Sequence, residues 1–406
     1  MNGTRVAAMF GLLACSAGFH ATRADDPPAK ADAPLRPPSV RSLAYSPDGQ
    51  ILVIGVGKRD EPGLVLGCDA GSLKPLWRRR GTAGFSSVSF APDGKAVAVA
   101  HGKTTALRLD PATGRELGEI GPHPVTVRAV VHIPGTDLLA TGSDGVIRLW
   151  DTKTGKVAKE LKGGHPAEVS SLVASPNGRW LISTGPDGTR GWDLPAGTEL
   201  KEAIKQDRGT GWYGITFVAP DRILFGDNSA TQHILELPSG KELLRYHGYG
   251  GGIAYSPKLG LAAYHWHSTE VRIMDLAFRP PTADEQARIE KLLKDFDDDS
   301  YNVRLAASKA MQEVGSVAEP ALREAMTGGP SAEVRMRARE TRKAILQEPL
   351  RTLKGHMAEV RPMAFSPDGK VLATGADDGT VRLWDPKTGR ELARLDVPDP
   401  AATGPP

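Results

Sequence analysis

Apolar and polar positions alternate in short bursts along most of the chain. Residues 355–395 show this most clearly. There VRPMAF, KVLATG, TVRLWD and ELARL are strand-length segments rich in β-branched or bulky apolar side chains, separated by turn residues. Ser366-Pro367-Asp368-Gly369 breaks the first pair, because proline presets a turn φ and glycine accepts a positive one. Asp378-Gly379 closes the second pair as a tight hairpin, and Pro386-Lys387-Thr388-Gly389 turns the third. The pattern predicts a four-stranded antiparallel meander. The proline of the first turn recurs at Pro47, Pro92, Pro134, Pro176, Pro220, Pro257 and Pro367, in steps of 45, 42, 42, 44, 37 and 110 residues. Seven anchors predict seven such units, with about 70 additional residues between the last two.

Gly355-His356 ahead of this unit, Trp384-Asp385 at the end of its third strand and the period together resemble the WD-repeat family of β-propellers. The resemblance implies an all-β fold: a seven-bladed propeller of four-stranded antiparallel blades over residues 39–395. It also implies a structural hydrogen-bonded chain inside a blade, not a catalytic triad. Its members would be His123, Thr141, Asp144 and Trp150 in blade 3, and His165, Ser183, Asp187 and Trp192 in blade 4. In blade 7 they would be His356, Thr374, Asp378 and Trp384. Blades 1, 2, 5 and 6 depart from the pattern. Cys68 stands where blade 1 would carry the tryptophan, and Glu236 replaces the aspartate of blade 5.

The extra residues fall inside blade 6, between its third strand at Val271–Asp275 and a fourth at Leu350–Lys354, and 279–348 read as helical. Thr282-Ala283-Asp284-Glu285 is a capping box that starts a helix ending near Phe296. A second helix follows Ser300, and further helices are expected at Val317–Met326 and Ala332–Leu346. Ser300-Tyr301-Asn302-Val303-Arg304 echoes Ser331-Ala332-Glu333-Val334-Arg335, an echo that resembles HEAT-type helical repeats. Apolar stripes on these helices predict a separable element with a small core of its own, assisted by the propeller.

Charge and termini add a compartment. A net charge of +3 lacks the concentrated basic face of a nucleic-acid binder, so no nucleic-acid partner is expected. Two cysteines, Cys15 and Cys68, make no disulfide framework, and Cys68 reads as a small buried hydrophobe. Residues 1–24 read as an export signal, with Arg5 before the apolar Val6–Phe19 and a small-residue site at Thr22-Arg23-Ala24. Leu12-Leu13-Ala14-Cys15 keeps a lipoprotein signal open, with Cys15 as the lipidated residue. The apolar run is too short to span a bilayer comfortably, so no transmembrane segment is expected. Residues 25–38 and 396–406 read as disordered linker and tail. The chain is thus expected to be periplasmic or extracellular.

The resemblance implies that connecting loops and the turns between second and third strands gather on one rim of the disc, where partner contacts are expected. Arg78, Arg79 and Arg80 are read as the loop before blade 2, and Trp212 and Tyr213 as the loop before blade 5. His265 and Trp266 fall in a turn of blade 6, and Arg335, Arg339 and Arg342 form a basic stripe on the last inserted helix, with Glu333 and Glu340 near enough to partner it. The acidic run Asp295, Asp297, Asp298 and Asp299 lacks the glycine and glutamate of a calcium loop, and no metal, cofactor or catalytic residue is predicted. The expected function is a non-catalytic platform for protein partners. A channel enzyme (hydrolase or oxidoreductase) and a glycan or polyanion binder are the alternatives.

Overall fold

The computed structural model describes residues 37–58, 61–143, 145–161, 165–201, 204, 213–226, 231–247, 251–265, 268–277, 279–347 and 349–400. The expected export signal with Cys15, residues 25–36 of the linker, Asp144, Trp212, Trp266 and the last six residues lie outside these.

Among the described residues the strands form seven four-stranded antiparallel sheets, each built from four consecutive strands. The blades begin at Val40, Ser87, Ala129, Ser171, Tyr213, Ile253 and Val360. Their first strands touch in cyclic order, and the first strand of blade 7 (Val360–Phe365) packs against that of blade 1 (Val40–Tyr45), which closes a seven-bladed β-propeller. Among the described residues every blade keeps its own strands, and the ring closes without exchanging one.

Turn chemistry explains the repeat. In the first turn of blade 7 the Ser366 hydroxyl donates to Asp368 Oδ1 at 2.7 Å and accepts the Val371 N–H at 3.0 Å, while Gly369 takes φ +78°. Ser46, Asp48 and Ile51 repeat this in blade 1. The aspartate that follows the tryptophan shapes the third turn: Asp385 Oδ1 accepts the N–H of Lys387 at 2.8 Å and of Thr388 at 3.2 Å. Asp151 does the same with Lys153 and Thr154.

Trp384, Trp150 and Trp192 stand opposite Leu372, Leu139 and Leu181 on the second strands, and Cys68 stands in the same register opposite Leu52. Cys68 is fully buried, and burial pushes its thiol up to about 12.

The third and fourth strands of blade 6 (Val271–Asp275 and Arg351–Leu353) flank four helices: α1 (Ala283–Asp295), α2 (Tyr301–Val314), α3 (Glu319–Gly328) and α4 (Ala332–Gln347). Thr282 and Glu285 make the reciprocal capping box that starts α1. Helix α3 begins later than its apolar pattern predicts, because Gly315–Ala318 forms a 3-10 turn. The insert has no separate core. One apolar cluster joins Leu224, Leu244, Met274 and Leu276 of blades 5 and 6 to Ile289, Phe296, Met311 and Leu322 of the helices. At the other end, the fourth strand of blade 7 runs to Asp396, and the Val397 N–H donates to the Gly379 carbonyl at 2.8 Å. The expected tail therefore starts later than residue 396.

Candidate functional site

Three blades carry a sealed polar chain. In blade 4 the Asp187 carboxylate lies 2.9 Å from His165 Nδ1, Ser183 Oγ lies 2.8 Å from His165 Nε2, and Trp192 Nε1 donates to Ser183 Oγ at 2.9 Å. Burial, outweighing the Asp187 carboxylate, lowers the pKa of His165. A carboxylate only accepts, so Nδ1 carries the proton of this neutral ring and Nε2 accepts from the serine. Blade 7 repeats the geometry: His356 Nε2 is 2.7 Å from Thr374 Oγ1, Asp378 Oδ2 is 3.1 Å from Nδ1, and Trp384 Nε1 donates to Thr374 at 2.8 Å. Burial would raise the pKa of Asp378, but hydrogen bonds from His356, the Met357 N–H and Thr380 hold it below the ordinary range. In blade 3, His123 Nε2 is 2.5 Å from Thr141 Oγ1, which also accepts Trp150 Nε1 at 2.7 Å, and Ser143 Oγ is 3.0 Å from Nδ1. Serine, histidine and aspartate in blade 4 have the connectivity of a hydrolase triad. Ser183 is nevertheless fully buried and its oxygen is engaged by both Trp192 and His165, so no substrate reaches it. The chain ties the second and third strands of a blade to the loop that enters it.

The mouth of the central channel is different. Arg41, Ser86, Arg128 and Ser170, from successive blades, surround a cavity of about 360 Å³ together with Gly57, Gly84 and Gly102. Gly57 has φ +113°, and a Cβ on Gly84 would lie 2.4 Å from the Lys58 carbonyl, so these two turns meet through bare backbone. Arg128 is neutralised by Glu168 at 2.8 Å. Arg361 binds Asp377 at 2.7 Å and Glu359 at 3.2 Å. Arg41 makes no hydrogen bond or ion pair with any described residue, and burial followed by the nearby Arg361 charge lowers its pKa. An arginine stays charged under such pressure, so among the described residues this mouth holds a guanidinium without a bonded counter-charge, suited to a carboxylate or phosphate.

The binding residues read from the sequence do not converge. Arg78, Arg79 and Arg80 are not in a connecting loop. They lie within the fourth strand of blade 1 (Pro75–Gly81), paired with Leu66, Val65 and Leu64, because the chain does not turn until after Gly81. Arg79 reaches Glu116 of blade 2 at 2.9 Å. Tyr213 is the first residue of a strand (Tyr213–Ala219), not of the loop before it. His265 is 5% exposed: its Nε2 lies 3.0 Å from the Gly252 N–H and 3.2 Å from the Arg361 carbonyl of the next blade, so it packs a seam and offers nothing to a partner. The arginine stripe of α4 is broken up. Arg335 donates to the Gly329 carbonyl at 2.7 Å and Arg342 to Glu319 at 2.9 Å, which leaves Arg339 exposed. Glu333 pairs with Arg304 and Arg337 instead. Arg41 was missed because a lone arginine at the start of an apolar strand gives no sequence signal.

The family model described as WD domain, G-beta repeat matches residues 114–151, 155–189 and 347–385. Each stretch runs from the last strand of one blade into the next, and together they hold the histidine and the hydroxyl residue of the sealed chains in blades 3, 4 and 7. Among curated proteins, the serine-threonine kinase receptor-associated protein of Rattus norvegicus is 35% identical over 140 residues, 34% of this chain and 38% of the relative. Its Homo sapiens counterpart gives the same figures. The ribosome biogenesis protein ERB1 of Yarrowia lipolytica is 56% identical over 43 residues, 11% of this chain and 5% of the relative. The chain thus matches well under half the length of these relatives.

Proposed function

Since this chain belongs to the WD-repeat proteins, we propose that it is an exported, non-catalytic scaffold that holds a protein partner at the mouth of its channel. Arg41 carries the reading. A concave, glycine-walled mouth with one guanidinium that no described residue pairs is completed by an acidic or phosphorylated side chain from outside. The helical insert supplies a second contact surface. The mammalian relative is named for association with a receptor kinase, in keeping with a binding role. Export is supported by Arg5 and the apolar Val6–Phe19, with lipid anchoring at Cys15 as its variant.

The test is crosslinking capture from an envelope extract, with the wild-type chain and Arg41→Glu in parallel. Charge reversal is expected to remove the principal crosslinked partner while the thermal midpoint stays within a few degrees. A variant that retains every partner would overturn the assignment to the mouth.

A further inference from the structure

Blades 5 and 6 and the helical insert meet along a cleft of about 290 Å³. Its walls are apolar, with Leu244 and Leu276 from the blades and Val317, Pro320 and Leu346 from the insert. Three charged side chains line it as well. Arg279 is held by Glu285 through two contacts of 2.6 Å, and Glu319 accepts from Arg342 Nε at 2.9 Å. The third, Arg222, opens the second strand of blade 5 (Arg222–Gly226). It makes no hydrogen bond or ion pair with any described residue, and its buried Nε has no acceptor.

A guanidinium without a counter-ion at the wall of an apolar cleft is complementary to a monoanion with an apolar body. We propose that this cleft binds a small monocarboxylate, its carboxylate on Arg222 and its tail along Leu244, Leu276 and Leu346. The volume corresponds to roughly ten water-sized positions, which suits an acid of about six carbons. A phosphate dianion fits poorly, because the Glu319 carboxylate lines the same cleft and, among the described residues, Arg222 alone of its cations has no carboxylate partner. The site exists only because the insert docks on the propeller, and it does not rest on the role assigned to the channel mouth.

Hexanoate, hexanol and inorganic phosphate titrated into the full chain by calorimetry test the proposal. Hexanoate is expected to saturate one site and raise the thermal midpoint, whereas hexanol and phosphate do neither. Arg222→Leu and Arg222→Gln should each weaken hexanoate binding about tenfold or more, since a charge-assisted hydrogen bond is lost. Arg222→Lys, which keeps the charge, should bind between these and the wild type. If Arg222→Leu does not fold, Arg222→Gln carries the comparison. Absence of hexanoate binding, equal binding of hexanol or phosphate, or an Arg222→Gln protein that binds like the wild type would each overturn it.

Discussion

Protonating His123 would charge a ring that is 3% exposed, bonded to Thr141 and Ser143 and close to the Arg148 guanidinium. Burial first, and Arg148 second, push its pKa down to about 4. His132, 6% exposed on the first strand of blade 3, is pushed to about 4 by burial as well. Between that value and the ordinary histidine pKa the unfolded chain binds more protons than the native one. Stability therefore falls as pH drops through this window and is flat above it. Each ring is expected to contribute on the order of 2 kcal/mol between pH 7 and pH 5. Urea midpoints at the two pH values should differ in the wild type, and the gap should narrow in His123→Gln/His132→Gln. An unchanged gap would assign the loss to other groups. The sealed chains were legible because their spacing is local and repeated: His to hydroxyl 18 residues in blades 3, 4 and 7, hydroxyl to tryptophan 9, 9 and 10. Arg41 and His265 were not, since the groups that define them, Arg361 and its carbonyl, arrive from another blade.

Helix boundaries in the insert were legible for the same local reason, because the Thr282 and Glu285 side chains cap α1 without help from the rest of the fold. Docking was not, since an apolar stripe does not say what covers it. The structure covers it with blades 5 and 6, and a polar clasp fixes the contact. The Ser316 N–H and hydroxyl each donate to Asp275 at 2.9 Å, and the Ser316 oxygen accepts the Ala277 N–H at 2.7 Å. A Cβ on Gly315 would lie 2.1 Å from Asp275 Oδ2, and φ there is +77°, so only glycine allows the clasp. The helices are therefore less separable than their own stripes suggest. Replacing 278–347 with a Gly/Ser turn leaves Leu244, Met274 and Leu276 without their covering side chains. That variant is expected to keep a β circular-dichroism spectrum but to melt several degrees lower and to bind a hydrophobic dye. Wild-type melting without dye binding would show that the shared cluster carries no stability.

Closure of the ring is the contact at the largest scale, and it joins blade 1 to blade 7. Among the described residues the two blades share no sheet, so side chains at the seam hold them together. Val40, fully buried, packs on the bare backbone of Gly375, where a Cβ would lie 2.4 Å from Val40 Cγ1. Leu52 and Ile54 continue the cluster to Ala373, Val381 and Leu383. The Ser39 hydroxyl donates to Asp377, the carboxylate that also holds Arg361. Among the described residues the seam thus begins just before the first strand, and closure is expected to need nothing N-terminal to Pro37. Deleting residues 1–36 should leave the urea midpoint unchanged. Val40→Ala should cost on the order of 2 kcal/mol, because it empties a buried site that a glycine backbone cannot refill. Urea titrations of both variants against the full chain decide it. A truncated chain that loses as much stability as Val40→Ala would place part of the closure N-terminal to the seam and overturn this account.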